Sequence, residues 1–293
     1  MQSKAGTLNH SKRAKNDEFY TLYRDVADEL SLYKEQFRGR RILCPCDRDD
    51  SPFVKFLASH ADNYGLKSIT ASGFDSSSMK GVKFQDIDYG EYDLVITNPP
   101  FSLFRKFIQT MFGNKLKFLV IGPANAMTYK DIFVHVMKNE MWLGHHHHLT
   151  GFALPDGTIL PKNDALVRYC CWYTNLDVSC RHDRINLTEE YDPKLNPTYC
   201  NYDGIDVKKT AKIPYNYSGN MGVPVTFMQK YNPDQFEIIG SSQMFTSEVP
   251  VALRGKIQSG RFYIQTHDGC FQRLFDRIVI RNKMVCHNVD DSY

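Results

Sequence analysis

The chain has 293 residues, 42% hydrophobic and 24% charged, with a formal net charge of +3, which suits one large or two modest globular domains with a sizeable core. No apolar run reaches the roughly 20 residues a membrane helix needs, and the first residues hold no apolar segment of the secretory kind, so a cytoplasmic location without a membrane partner is expected. The eight cysteines show no CxxC spacing, which argues against zinc ribbons and redox motifs; they read as buried small hydrophobes, and no metal site is expected.

Positive charge is unevenly placed. Residues 1–16 carry Lys4, Lys12, Arg13 and Lys15 and no acid, and residues 254–283 carry seven basic side chains against Asp268 and Asp276. Clustered cations on a balanced chain fit a polyanionic partner, whereas basic tails are also commonly only solvated.

After that tail, Leu22, Val26, Leu30, Tyr33 and Phe37 recur at helical spacing and predict one amphipathic helix, closed by "RGR". "RILCPC" (41–46) predicts a short buried strand. Ser51-Pro52 supplies an N-cap and a first-turn proline for a helix to Tyr64, with Gly65 as its C-terminal cap. "LKSITAS" predicts the next strand and "GFDSSSMKG" a loop. "YDLVIT" is a further strand, followed by NPPF and a helix from about Ser102, its N-cap, to Phe112. "KFLVIG", the helix "YKDIFVHVMKN" capped by Thr128, and "MWLG" continue the alternation. The rhythm predicts an α/β fold with a doubly wound, mostly parallel sheet.

From about residue 150 the pattern changes. Pro155-Asp156-Gly157 has hairpin chemistry, "LVRYCCWYT" is a strand candidate, and the last third reads as strands and hairpins. The expected organisation is a basic tail (1–16), an α/β core (17–180) and a β-rich C-terminal part (181–293) packed on the core. Four consecutive histidines, His145 to His148, read as a solvated loop.

The stretch "DLVITNPPFSLF" raises a chemical question. A buried strand runs into two residues that cannot donate a backbone hydrogen bond, beside one amide and one aromatic ring. In open α/β sheets ligands bind at the carboxyl ends of the strands, where NPPF sits. The Asn98 amide oxygen and a carbonyl of the proline pair can each accept a hydrogen bond from an exocyclic amine. Two acceptors on one NH2 draw its lone pair out of conjugation and make it nucleophilic, and Phe101 can stack on the ring that bears it. No general base is demanded, so no Ser-His-Asp or Cys-His arrangement is required.

Asn-Pro-Pro-Phe is a motif of amino-group methyltransferases that use S-adenosylmethionine. More narrowly, "DEFYTLY", "RILCPCDRDDSPFVKF", "DLVITNPPFSLFRKF", "IGPANAMTYKDIF", "NYDGIDV", "MGVPVTFMQKYNPDQFEIIG" and "RIVIRNK" resemble the EcoRI-type adenine-specific DNA methyltransferases, in the family's order and over nearly the whole chain. NPPF alone also occurs in enzymes that act on RNA or protein glutamine.

The resemblance implies a methyltransferase-type, Rossmann-like sheet, S-adenosylmethionine as cofactor and double-stranded DNA as partner, with a companion restriction endonuclease as a further candidate. It implies transfer to the N6 amine of a flipped-out adenine, with Asn98, Pro99, Pro100 and Phe101 as the target site. It places Tyr20, Thr21, Cys46, Asp47, Asp86 and Asn98 at the cofactor. Asp47, with Asp49 and Asp50, equally suits the start of a helix, where carboxylates are favoured. The glycine-rich loop common in methyltransferases is replaced here by Cys-Pro-Cys-Asp. Lys12, Arg13, Lys15, Arg273, Arg277 and Arg281 are the candidates for holding phosphates.

Overall fold

In a computed structural model, residues 20–73, 81–154, 156–245, 260–266 and 268–285 are described. Lys12, Arg13, Lys15 and Pro155 therefore lie outside the described residues. The chain divides into two compact units: residues up to 126 with 142–177, and 127–141 with residues from 178 onward.

The first unit is built on apolar runs too short for helices. They form β1 (Tyr20–Thr21), β2 (Arg41–Cys44), β3 (Ser68–Ala71), β4 (Leu94–Thr97), β5 (Lys117–Pro123), β6 (Trp142–Leu143), β7 (Gly151–Ala153), β8 (Ile159–Pro161) and β9 (Cys170–Thr174). Six of these make one sheet in the order β3-β2-β4-β5-β9-β6. The pairs β2–β3, β2–β4 and β4–β5 are parallel, while β9 runs antiparallel to both β5 and β6. The sheet is thus mixed and mostly parallel rather than wholly parallel. Leu94, Val95 and Ile96 of β4 and Phe118 to Ile121 of β5 are fully buried, as expected for strands covered on both faces.

Local signals explain the helices. Helix α1 (Tyr23–Leu30) buries Val26 and Leu30, but Ser31 to Tyr33 form a 3-10 turn before Lys34–Phe37 resumes. The single long helix expected from the spacing is therefore interrupted. The Ser31 hydroxyl donates to the Asp28 carbonyl at 3.1 Å, a local bond that competes with the helical ladder. Helix α2 (Pro52–Tyr64) has the expected caps: Ser51 Oγ accepts from Val54 N–H at 3.3 Å, and Gly65 adopts φ +63°. Helix α3 (Phe104–Gly113) buries Phe104, Phe107, Ile108 and Met111. Its start is tighter than expected: Phe101 to Leu103 form a 3-10 turn, and Leu103 stands at the N-cap position of α3.

A second sheet of the same unit has the order β1-β7-β8. Asp25 of α1 accepts from Thr150 N–H (2.8 Å) and Gly151 N–H (3.3 Å) at the start of β7. One turn along the helix, Glu29 is fully buried. Its carboxylate accepts from Tyr33 OH, His145 N–H and His146 N–H, each at 2.8 Å, and lies 2.8 Å from His146 Nδ1. A Cβ on Gly144 would sit 2.3 Å from the Glu29 oxygen, so only glycine admits this approach.

The histidine tract is therefore only in part the solvated loop its composition suggested, with His146 and His148 exposed. Its backbone is held by a buried carboxylate, and the His145 ring packs edge-on against Tyr33. Burial pushes His147 down to about 4, whereas the Glu29 hydrogen bond raises His146. Among the described residues no group of three or more His, Cys, Asp or Glu side chains could hold a metal ion.

In the second unit, helix α4 (Lys130–Met137) follows Tyr129 as its N-cap position, with no side-chain cap. Thr128 ends the preceding 3-10 stretch and is buried. The strands are β10 (Ile205–Asp206), β11 (Met221–Pro224), β12 (Phe236–Ser241), β13 (Tyr263–Gln265), β14 (Phe271–Arg273) and β15 (Arg277–Asn282). They form a β10-β11-β15-β12 sheet and a β13-β14 hairpin. Arg277 is buried, and its Nε donates to Asp206 Oδ1 at 2.8 Å, an oxygen that also accepts from Tyr199 OH at 3.0 Å.

Replacing Glu29 by Ala should leave three buried or half-buried donors without their acceptor. We expect a loss of about 3 kcal/mol in chemical denaturation, since charged hydrogen bonds and stranded donors each carry roughly 1–3 kcal/mol. Arg277→Met should cost about 3–5 kcal/mol, because it leaves the Asp206 carboxylate buried without its cation. Loss of less than about 1 kcal/mol in either denaturation curve would remove the structural role assigned to that group.

Candidate active site

The connectivity of the large sheet creates a crevice. From β2 the chain moves outward to β3 on one side, and β4 then pairs on the other side of β2. Ligands bind at such reversals, beyond the carboxyl ends of the strands. Here the structure opens a cavity of about 400 Å3 lined by Asp47, Arg48, Asp49, Asp50, Ala71, Ser72, Gly73 and Gly81. These residues follow β2 and β3.

The loop after β2 is fixed by hydrogen bonds that a glycine-rich loop would not need. Asp47 N–H donates to the Cys44 carbonyl at 3.3 Å, and Gly73 N–H donates to the Asp47 carbonyl at 2.9 Å. A Cβ on Gly73 would lie 2.7 Å from that carbonyl oxygen. The close backbone approach is thus supplied by a glycine after the second strand, not by one in the first loop. Ser72 Oγ is buried in the same lining and has no hydrogen-bond partner among the described residues.

The Asp47 carboxylate turns inward. Oδ2 accepts from Thr97 Oγ1 at 2.5 Å, and Thr97 Oγ1 itself accepts from Cys46 N–H at 3.2 Å. Ser51 and the backbone N–H of Asn98 also bond to Asp47. Burial nonetheless pushes Asp47 up to about 7, outweighing these bonds to its charged form. The Cys46 thiol is pushed up by burial as well, so it stays a thiol; its contribution to this loop is its backbone amide.

Asn98 follows β4 directly. The buried Pro99, half-buried Pro100 and half-buried Phe101 come next, and the Pro100 carbonyl accepts from Leu103 N–H at 2.9 Å to close the turn into α3. With neither proline able to donate, the ladder ends here by necessity. The arrangement holds one amide and one ring at the end of a rigid strand.

The other candidate residues are placed apart from the cavity lining. Thr21 is buried on β1, its hydroxyl without a hydrogen-bond partner among the described residues, and Tyr20 beside it is 41% exposed. Asp86 is exposed, at the end of the 3-10 turn Phe84–Asp86. Arg273 and Arg281 are exposed on β14 and β15, and Arg281 Nε donates to Asn220 Oδ1 at 2.9 Å. Arg277 is engaged with Asp206 in the interior, a position that does not offer its charge to phosphate. Arg48, Ser72, Gly73 and Thr97 were not anticipated. The one sequence signal for them was Ser-Gly directly after "SITA".

Comparison with known proteins gives the family. The family model described as "Adenine-specific methyltransferase EcoRI" matches residues 7–91 and 89–283. The type II methyltransferase M.EcoRI of Escherichia coli is 35% identical over an alignment covering 88% of this chain and 95% of that protein. M.MpnI of Mycoplasma pneumoniae is 28% identical, with 94% and 98% covered. M.MgeORF184P of Mycoplasma genitalium is 30% identical, with 79% and 85% covered. With NPPF at the carboxyl end of β4 and a family match along nearly its whole length, the chain belongs to the EcoRI family of adenine-specific DNA methyltransferases, enzymes of type II modification.

Proposed function

We propose that the protein transfers a methyl group from S-adenosylmethionine to the N6 amine of an adenine turned out of duplex DNA, at a defined sequence. The single observation that carries this reading is the placement of Asn98-Pro-Pro-Phe at the end of β4, beside the cavity at the ends of β2 and β3. The sheet, with β9 alone reversed between β5 and β6, supports the doubly wound methyltransferase type.

The cavity fits the donor molecule in size and chemistry. Its volume is within the range of small-molecule sites. Asp49 and Asp50 offer acceptors for an ammonium group and ribose hydroxyls, Arg48 a partner for a carboxylate, and Ser72 an unmet buried hydroxyl. Bound there, S-adenosylmethionine supplies a methyl group on a cationic sulfur, whose charge is discharged as the methyl leaves. Tyr20, Thr21 and Asp86 stand as further cofactor contacts implied by the family motifs alone.

The chain's own residues act on the amine. The Asn98 amide oxygen and the Pro99 carbonyl each accept one of its hydrogens, so its lone pair is free to attack. Phe101 stacks on the base, worth about 1–3 kcal/mol by analogy with single-stranded binding. This contact offsets part of the few kcal/mol needed to unstack and unpair the adenine. Positioning supplies most of the rate, and the proton leaves to water after transfer. Arg273 and Arg281 are the described candidates for holding phosphates.

The test is to incubate the purified protein with unmethylated DNA of diverse sequence and methyl-labelled S-adenosylmethionine, then digest to nucleosides. Labelled N6-methyldeoxyadenosine is expected, and Asn98→Ala should lower its formation by about 10²-fold or more, the scale of losing one oriented hydrogen-bonding group. Label in another base, or undiminished label with Asn98→Ala, would refute the assignment.

A further inference from the structure

Strands β2 and β4 are paired over only two register positions, Ile42 with Leu94 and Leu43 with Val95. Past Val95, towards the cavity, the link between their carboxyl ends is made by side chains. Thr97 is fully buried and Asp47 is 8% exposed. The Thr97 hydroxyl takes one hydrogen bond from the β2 loop, at Cys46 N–H, and gives one back to it, at Asp47 Oδ2. The same carboxylate holds the backbone N–H of Asn98. A single buried group therefore grips both sides of the peptide that joins Thr97 to Asn98.

A carboxylate is a costly way to tie two strand ends, since burial disfavours its charge and an apolar pair would hold them as well. Its advantage is directional. Two charge-assisted bonds fix both the position and the orientation of the peptide that carries the Asn98 side chain. The same loop, from Asp47 to Asp50, also lines the cavity.

Resting on the function proposed above, we infer that Thr97 and Asp47 are positioning residues, coupling the wall of the donor cavity to the Asn98 amide that orients the target amine. The direct role of the Asp47 carboxylate is then toward Thr97 and Asn98, more than toward the donor. Asp47, pushed up to about 7 by burial, gains a proton as pH falls through that value. The protonated group has one acceptor oxygen fewer for its three donors, so turnover should decline on the acid side. Around the pair stand Ser51 and the Cys46 thiol, with Cys44 buried below. The thiols stay neutral across that range, because burial raises both.

The experiment compares Thr97→Val, Thr97→Ser and Asp47→Asn with the wild type in kcat, KM for S-adenosylmethionine, pH profile and amide exchange at Asn98 in the unliganded protein. Thr97→Val should lower kcat by roughly 10²-fold, the scale of a small misplacement of a reacting group, while KM stays within about threefold. Its acid limb should move to higher pH, because Asp47 loses a donor that favours its charged form. Its Asn98 amide should exchange faster. Thr97→Ser, which keeps the hydroxyl, should restore kcat to within about threefold, and Asp47→Asn should lose the acid limb.

Wild-type kcat and an unmoved acid limb in Thr97→Val would overturn the inference, as would an acid limb that persists in Asp47→Asn. Should Thr97→Val fail to fold in a thermal melt, the Thr97→Ser and Asp47→Asn arms decide on the same readouts. A wild type that transfers no methyl to DNA overturns both this inference and the proposed function. An active wild type with insensitive variants overturns this inference alone.

Discussion

The junction of β2 with β4 is the constraint on which the site depends. Two parallel strands share only two paired positions, yet their ends must stay in register to within the tolerance of a reacting pair. The protein locks them at both ends with side chains. At the amino ends Arg41 donates from its backbone N–H, Nε and Nη2 to Asp93, at 2.9, 3.0 and 2.9 Å, and this bidentate grip draws Asp93 down to about 2. At the carboxyl ends Thr97, Cys46 and Asp47 do the equivalent. The first lock is half exposed and strongly favours charge. The second is buried, and its carboxyl group is held near the balance between its two forms.

The two prolines follow from the same constraint. A strand that continued past Thr97 would offer N–H groups to its neighbours and extend the sheet over the crevice. Pro99 and Pro100 remove those donors, and the Leu103 N–H then closes on the Pro100 carbonyl to start α3. The buried face of α3 begins at once, with Phe104 1% exposed. Asn98 and Phe101 are thereby clamped between a strand and a helix, both anchored in the core. A more typical turn of glycine and aspartate would connect the same elements but leave the amide and the ring free to wander.

Much of this was legible in the sequence wherever the signal was local. Ser51-Pro52 and Gly65 bounded α2 as read, and Asp156-Gly157 lies between β7 and β8, with Gly157 at φ +83°. The apolar runs marked β2, β4 and β5, and NPPF announced its chemistry. What escaped were features that depend on partners far along the chain. An apolar run such as "CCWYT" reads the same in either direction, so the reversal of β9 left no trace. The histidine tract looked solvated because Glu29, its partner, stands 117 positions before His146. Arg277 looked like a phosphate contact because Asp206 is 71 positions away. Thr97 looked like the last residue of a strand, and its bond to Asp47 spans 50. The 3-10 turn that precedes α3 also left no signal in the sequence.

Charge divides the work between cavity and partner. The exposed acids Asp49 and Asp50 and one arginine line the cavity, and Arg48 Nε is only 3.5 Å from Asp50, so the net field there repels phosphate. A nucleic-acid backbone therefore gains nothing by approaching the cavity, whereas a base, which carries no charge, meets no such penalty. Exposed cations such as Arg273 and Arg281 stand on strands of the other unit. On the proposed reading, the chemistry at Asn98 needs only a single neutral base, and the phosphates find their cations elsewhere on the chain. The acids that suit an ammonium and a ribose then also act as a filter, because they admit the ring and exclude the chain that carries it.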